Sequence, residues 1–299
     1  MFALTSGVCC IWGYLRQTVS GVPHNPDGQP LTTEQALINI NQTADPWLRY
    51  YAAWWLGKMR VREPDAIDAL LIALEDETNR SPDGGYPLRR NAARALGKIG
   101  QGNSRVLSAL IHCLGCDDYY VRETAAQALE NLEDASAISA LVALLEGGVD
   151  AAVQVPDKPH LVQPYNAILE ALGTLGHQHS ELANIIAPFL EHDLPQVQNA
   201  AARAMYQITH NKTYAERLVK MLNNDQLQLR RAALMDLVAV GYLEGATAIA
   251  DTLAENSMKL IALKGVLEHQ IDTEKKSSQD TLPLSADSRR VMELMDSLL

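Results

Sequence analysis

Phenylalanine is almost missing from this 299-residue chain, which has only Phe2 and Phe189, and aromatic side chains make up just 5% of it. A large single core would be filled with such rings. Their scarcity beside a hydrophobic fraction of 47% points instead to a thin core in which alanine and leucine pack closely paired helices. No apolar run approaches the ~20 residues that cross a bilayer. The stretch Val8 to Tyr14 is too short, and lacks the basic flank, for a secretory signal. Cysteine is sparse as well. Cys9, Cys10, Cys113 and Cys116 outline no disulfide framework, which fits a reducing compartment. Positive charge is in deficit: the net charge is −11, with no basic stripe of the kind nucleic-acid binders carry, and an acidic surface disfavours anionic membranes. Local basic spots able to meet small carboxylates remain compatible with that balance.

Enzyme signatures are absent too. The chain has no P-loop, no GxSxG, no HExxH and no strand-bound GxGxxG. Gly100-Gln101-Gly102 is the ordinary glycine turn after a helix. Cys113 and Cys116, beside His112, make one thiol pair where a structural zinc needs four ligands, and they close an apolar helix in which a free cysteine packs as a small hydrophobe. His177, His179 and His210 fall in turns and receive no role. The expectation is a soluble intracellular protein with no metal site.

What the chain does have is one helix-sized phrase, repeated. Leu48-Arg49-x-x-Ala52-Ala53-x-x-Leu56-Gly57-Lys58-Met59 returns as Leu88-Arg89-x-x-Ala92-Ala93-x-x-Leu96-Gly97-Lys98-Ile99, then as Val121-Arg122-x-x-Ala125-Ala126-x-x-Leu129. Looser copies start at Val197 and Leu229, so successive starts lie 40, 33, 76 and 32 residues apart, the 76 being two periods with an insertion. A period of this length means stacked helix pairs, each burying its apolar face on the next. The expected fold class is all-α: a right-handed α-solenoid of HEAT-like repeats.

The expected organisation is a variable extension over 1–30, a repeat array over 31–270, and a linker with a C-terminal helix over 271–299. Thr32 or Thr33 should cap the first helix, Asp45-Pro46 should open the second, and the breaker-rich 78–87 should be a loop. Residues 147–163 interrupt the rhythm as the main insertion. A last array helix should run from about Met258 to Glu268, and another over Ala286 to Leu299. Asp45, Asp118 and Asp225 precede Arg49, Arg122 and Arg230, which predicts capping aspartates and an Asp–Arg ladder between repeats.

The first copy of the phrase is unusual. It carries Trp47, Tyr50, Tyr51, Trp54 and Trp55, three of the four tryptophans within nine residues. Ala52 and Ala53 hold the inward positions, so part of the ring set is expected on a groove. Tyr51 and Trp55 should share one stripe, and Tyr50 and Trp54 an adjacent one. Such rings suit either the capping of an end repeat or the binding of a flat conjugated ligand or a protein hot spot.

Tyr50-Tyr51-Ala52-Ala53-Trp54-Trp55-Leu56-Gly57-Lys58-Met59 resembles the signature of the E-type subunits of heterodimeric E/F phycobilin lyases, and the resemblance spans roughly 31–270. It implies an F-type HEAT-like partner and joint attachment of phycocyanobilin to one cysteine of the phycocyanin α subunit, in cyanobacterial cytosol or plastid stroma. The bilin would be substrate and not resident cofactor. Isomerising relatives carry Tyr-His-Ala-Thr-Trp-Trp-Leu. Tyr51 stands here for the His and Ala53 for the Thr, which favours the plain lyase. With a bilin as the implied ligand, Tyr50, Tyr51, Trp54 and Trp55 are expected to line the bilin or the subunit groove, with Arg49, Lys58 and Arg60 as cations for the two propionates, Arg49 alternatively tied into the Asp–Arg ladder, and Asp45 as the candidate acid. The acceptor's thiolate would add to the ring A ethylidene group, so the lyase need supply no nucleophile and would act by positioning. The alternative is a non-catalytic HEAT scaffold, such as a phycobiliprotein chaperone or a phycobilisome degradation adaptor.

Overall fold

The computed structural model describes residues 30–277 and 284–299. The expected N-terminal extension, with Cys9 and Cys10, and residues 278–283 of the expected linker lie outside the described residues. Fifteen α-helices follow one another among those described: α1 Thr33–Asn41, α2 Pro46–Lys58, α3 Pro64–Leu74, α4 Pro87–Ile99, α5 Ser104–Cys113, α6 Tyr119–Leu132, α7 Ile138–Ala143, α8 Tyr165–Leu175, α9 Leu182–Ile186, α10 Pro195–Thr209, α11 Lys212–Met221, α12 Leu227–Val240, α13 Ala246–Asp251, α14 Asn256–Ser277 and α15 Ala286–Asp296. No described residue lies in an extended strand. The fold class is the all-α HEAT-repeat solenoid. None of the described helices is long and apolar enough to cross a membrane.

Helix starts follow local chemistry. Thr32 accepts the Gln35 N–H at 3.2 Å, and Asp45 and Asp118 each accept two N–H groups of the turn that they open. Proline occupies the first position of α2, α3, α4 and α10, where its missing N–H is no loss. Asp225 departs from expectation. Its neighbour Asn224 takes the turn instead, accepting the Gln226 N–H at 2.9 Å.

The described residues divide into two compact units, one ending at Gly100 and the other beginning at Gln101. In the first, α1 packs on α2 and α3, and α2 and α3 both pack on α4. In the second, α6, α8, α10, α12 and α14 form a continuous ladder, and α15 closes on α14. Alanines of the repeated phrase line the contacts within each unit: Ala52, Ala53, Ala92 and Ala93 in the first, and Ala125, Ala126, Ala201 and Ala233 in the second, are fully buried. Gly57 shows how tight the approach is, because a Cβ added there would stand 2.7 Å from both Cα and Cβ of Ala95. Gly57→Ala is therefore expected to lower stability by about 1–3 kcal/mol, the range for overpacking, against the gain of roughly 1 kcal/mol that the same change brings in an open helix. A melting temperature equal to or above wild type would show that α2 and α4 part without strain.

The Asp–Arg ladder takes a different form from the expected one. Arg49 pairs with Asp76 at 2.6 Å and donates to the Ile40 carbonyl at 3.1 Å. Arg122 reaches the carbonyls of Cys116, Asp117 and Val162, and Arg230 those of Asn224, Asp225 and Leu253. Each arginine thus ties the segment before its helix to the segment after the next one, and carbonyls, not the capping aspartates, are the common partners.

The insertion is ordered. It holds a 3₁₀ turn at Val149–Ala151 and an antiparallel bridge between Gln154 and Leu161. His160 stacks on Tyr119 with ring centroids 4.1 Å apart, and buried His192 donates to the Ala152 carbonyl at 2.8 Å while accepting the Leu194 N–H at 3.0 Å. At the other end, α14 runs on to Ser277, past the expected stop near Glu268.

Candidate functional site

The aromatic helix α2 sorts its rings by depth. Trp55 is 6% exposed and points into the first unit, while Trp47 is 70% and Tyr51 45% exposed. Tyr50 and Trp54 are half-buried. The expected pairing of Tyr51 with Trp55 on one stripe does not hold, since one faces out and the other in. The displayed group is Trp47, Tyr50 and Tyr51, joined edge to face with successive centroids 6.0 Å apart. Such edge contacts hold aromatic rings in fixed orientation.

The helix is fastened at both ends. The Asp45 carboxylate is engaged as N-cap, accepting the Trp47 N–H at 2.8 Å and the Leu48 N–H at 3.3 Å. Arg49 is buried in its pair with Asp76 and its bond to Ile40. Asp76 lies below the usual carboxylate range, because hydrogen bonds from Asn79, Arg49 and Thr78 outweigh the upward pull of its burial. At the C-terminal end, Arg60 sits at φ 55°, a left-handed conformation that costs a non-glycine residue about 1–2 kcal/mol. That turn carries Arg60 and Arg62 out beside the inward Trp55, and together with Thr33, Met59 and Glu63 they line a shallow depression of about 630 Å³. The volume is within the range of small-molecule sites.

A second constellation, in the unit 101–299, has no counterpart in the sequence reading. Arg203 of α10 pairs with Glu130 of α6, with Glu170 of α8 at 3.4 Å and with Asp236 of α12 at 3.8 Å. Thr174 donates to Glu130 at 2.9 Å, and Gln207 to Thr174 at 3.3 Å. Three carboxylates share one guanidinium. Burial pushes Glu170 up to about 8, with Arg203 opposing and Asp236, Glu130 and Glu123 adding repulsion; burial likewise raises Asp236 to about 6. Glu130 and Arg203 also border a cavity of about 570 Å³ ringed by His177, His210, His269 and Tyr206. His177 and His210, set aside as turn histidines, thus meet at this cavity. Among the described residues, no three His, Cys, Asp or Glu side chains are placed to hold a metal ion.

Residues 48–76, which hold the aromatic phrase, match the PBS lyase HEAT-like repeat family, and residues 79–154 match HEAT repeats. The phycocyanobilin lyase subunit alpha of Nostoc sp. (strain PCC 7120) is 58% identical over 91% of this chain and 96% of its own length. That of Picosynechococcus sp. (strain ATCC 27264) is 56% identical over 90% of this chain and 96% of its own. Among solved structures, the complex of CpcE and CpcF of phycocyanin lyase from Nostoc sp. PCC 7120 contains a chain that superposes with a TM-score of 0.82 at 56% identity, covering 94% of this chain and 100% of that one.

Proposed function

The chain belongs to the family of phycocyanobilin lyase alpha subunits, and from that premise we propose that it works as one half of a bilin lyase, pairing with an F-type subunit to attach phycocyanobilin to a cysteine of the phycocyanin α subunit. The observation that carries the reading is the ring face of α2, set in a HEAT-repeat frame matched along most of its length by lyase alpha subunits. The acceptor supplies the sulfur. Its thiolate adds to the ethylidene carbon on ring A, the double bond opens, and the tetrapyrrole takes up a proton. The lyase contributes orientation, shielding from water and exclusion of the wrong face.

Within that reading, Tyr50, Tyr51 and Trp54, joined by Trp47, stack against the conjugated bilin, and Trp55 supports them from beneath. Lys58 and Arg60 meet the propionates. Arg49 and Asp45 hold the helix in place, through Asp76 and through the capped first turn. Phycocyanobilin is then a substrate with no resident cofactor, and the site of action is the cytosol of a bilin-making cell or its plastid counterpart.

Co-expression with an F-type subunit, a phycocyanobilin source and a phycocyanin α subunit tests the reading by zinc-enhanced fluorescence of the α subunit on a denaturing gel. A covalent signal that requires both lyase chains is expected. The triple variant Trp47→Ala, Tyr51→Ala, Trp54→Ala should lower attachment at least about tenfold, since each ring contact contributes roughly 0.5–1.5 kcal/mol, while pairing with the F-type subunit persists. Undiminished attachment by that variant would remove the ring face from the bilin site. Absence of any signal with the pair assembled would leave the scaffold alternative standing.

A further inference from the structure

The repeat register places a second stripe beside the rings. With the phrase starting at Leu48 in α2 and at Leu88 in α4, Trp54 corresponds to Arg94 and Lys58 to Lys98. The two helices pack directly, with Gly57 against Ala95, and Asn91 of α4 donates to the Tyr50 carbonyl at 3.2 Å. The aromatic stripe Tyr50–Trp54–Lys58 therefore runs alongside Arg94–Lys98, one helix over. Lys58, Arg60, Arg94 and Lys98 are all exposed. Among the described residues none of them is paired with a carboxylate; Arg94 donates only to Asn91, at 3.2 Å. In a chain of net charge −11, these four cations gather at two neighbouring helices. They also crowd one another: the Lys98 ammonium is held below its ordinary value, first by partial burial and then by repulsion from Arg94, Lys58 and Arg60. Like charges gathered without counter-ions are a site waiting for an anion.

We infer that Arg94 and Lys98 of α4, with Lys58 of α2 and Arg60 in the turn that follows it, form a clamp for the two carboxylates of a linear tetrapyrrole whose conjugated rings lie on the neighbouring aromatic stripe. This rests on the bilin-lyase reading above and extends it to a second helix. The ligand class follows from the pairing of surfaces. A flat conjugated body meets Tyr50 and Trp54, and a dianion bridges side chains about one helix spacing away. Arginine at 94 offers bidentate carboxylate capture, while the lysines act as point charges. The stacking of α4 on α2 then orients the bilin, with its conjugated rings on α2 and its propionates toward the cations.

The test is titration of the assembled lyase pair with phycocyanobilin and with its dimethyl ester, followed by absorbance. The probes differ only in the two carboxylates. Wild type should bind the diacid more tightly than the diester. The double variant Arg94→Gln, Lys98→Gln should weaken diacid binding by at least about tenfold, or 1.4 kcal/mol, and leave diester binding unchanged. Arg94→Lys should recover part of the loss. The variant side chains are exposed, and an unchanged melting temperature checks the fold. An equal loss for diacid and diester, or no loss for either, overturns the clamp while leaving bilin binding by the rings intact. Failure of the wild-type pair to bind either probe overturns the clamp and the bilin reading of α2 together.

Discussion

Arg203→Met is expected to destabilise the chain by about 3–5 kcal/mol, the loss typical of removing one partner from a buried ion network. Arg203 is 9% exposed and is the cation facing Glu130, Glu170 and Asp236, drawn from three other helices of the ladder. Methionine fills a similar length with no charge, so the change isolates electrostatics from packing. Without the guanidinium, the three carboxylates repel one another in a setting that already holds Glu170 at about 8. They can answer only by taking up protons, so the loss should be larger at pH 8 than at pH 5. Restoring neutrality by adding Glu130→Gln, Glu170→Gln and Asp236→Asn to Arg203→Met should recover much of the stability, because a fully neutral polar cluster avoids the ionic desolvation. Chemical unfolding of the full chain measures both. A loss below about 1 kcal/mol for the single variant, where surface ion pairs fall, would show that the cluster is solvated and not an interior network.

The array and its helix starts were legible because they depend on neighbours in sequence. A period of 32 to 40 residues, paired alanines and capping Thr32, Asp45 and Asp118 are local signals. So was the aromatic helix, since three tryptophans within nine residues stand out in a chain with 5% aromatics. The inward direction of each ring was not legible. Helical spacing puts Tyr51 and Trp55 a turn apart on one side, but the arc that is buried depends on where α1 and α4 pack, and the boundary falls between them at 45% and 6% exposure. The partner of Arg49 was equally hidden. Asp45 lies four residues away, yet its carboxylate is spent on the first turn, and Asp76 arrives from the far end of α3.

The buried network hid in plain view. Arg203 and Asp236 occupy the slots filled by Trp54 and Trp55 in the first copy of the phrase. Each charge alone looks like part of a solvated face. Only the stacking of α6, α8, α10 and α12 brings Glu130, Glu170, Arg203 and Asp236 to one place, from positions 33 to 106 residues apart. Comparing the slots across repeats, and not along one helix, is the signal that could have found them. The same comparison aligns Trp54 with Arg94 and Lys58 with Lys98.

The pH dependence of stability carries the signature of Glu170. In the unfolded chain a glutamate titrates near its ordinary value of 4.5, while in the folded chain burial holds this one protonated up to about 8. A raised folded value for an acid means that the folded state binds the extra proton between those limits. Its contribution to stability is therefore complete below about 4.5 and is lost as pH rises toward about 8. Glu170→Gln keeps the shape and stays neutral at every pH. Relative to wild type, it should be near neutral at pH 4.5 and become progressively more stable up to pH 8, by on the order of a few kcal/mol in all, then level off. Asp236→Asn should show the same rise over a narrower span, from 3.8 to about 6. The ordinary carboxylates of an acidic protein push stability the other way over the acid range, so the difference between variant and wild type, not either curve alone, isolates the buried group. Urea unfolding at half-unit pH steps gives that difference. A flat difference, or a glutamine variant less stable than wild type at pH 8, would mean that Glu170 is ionised in the folded chain and that Arg203 outweighs its burial.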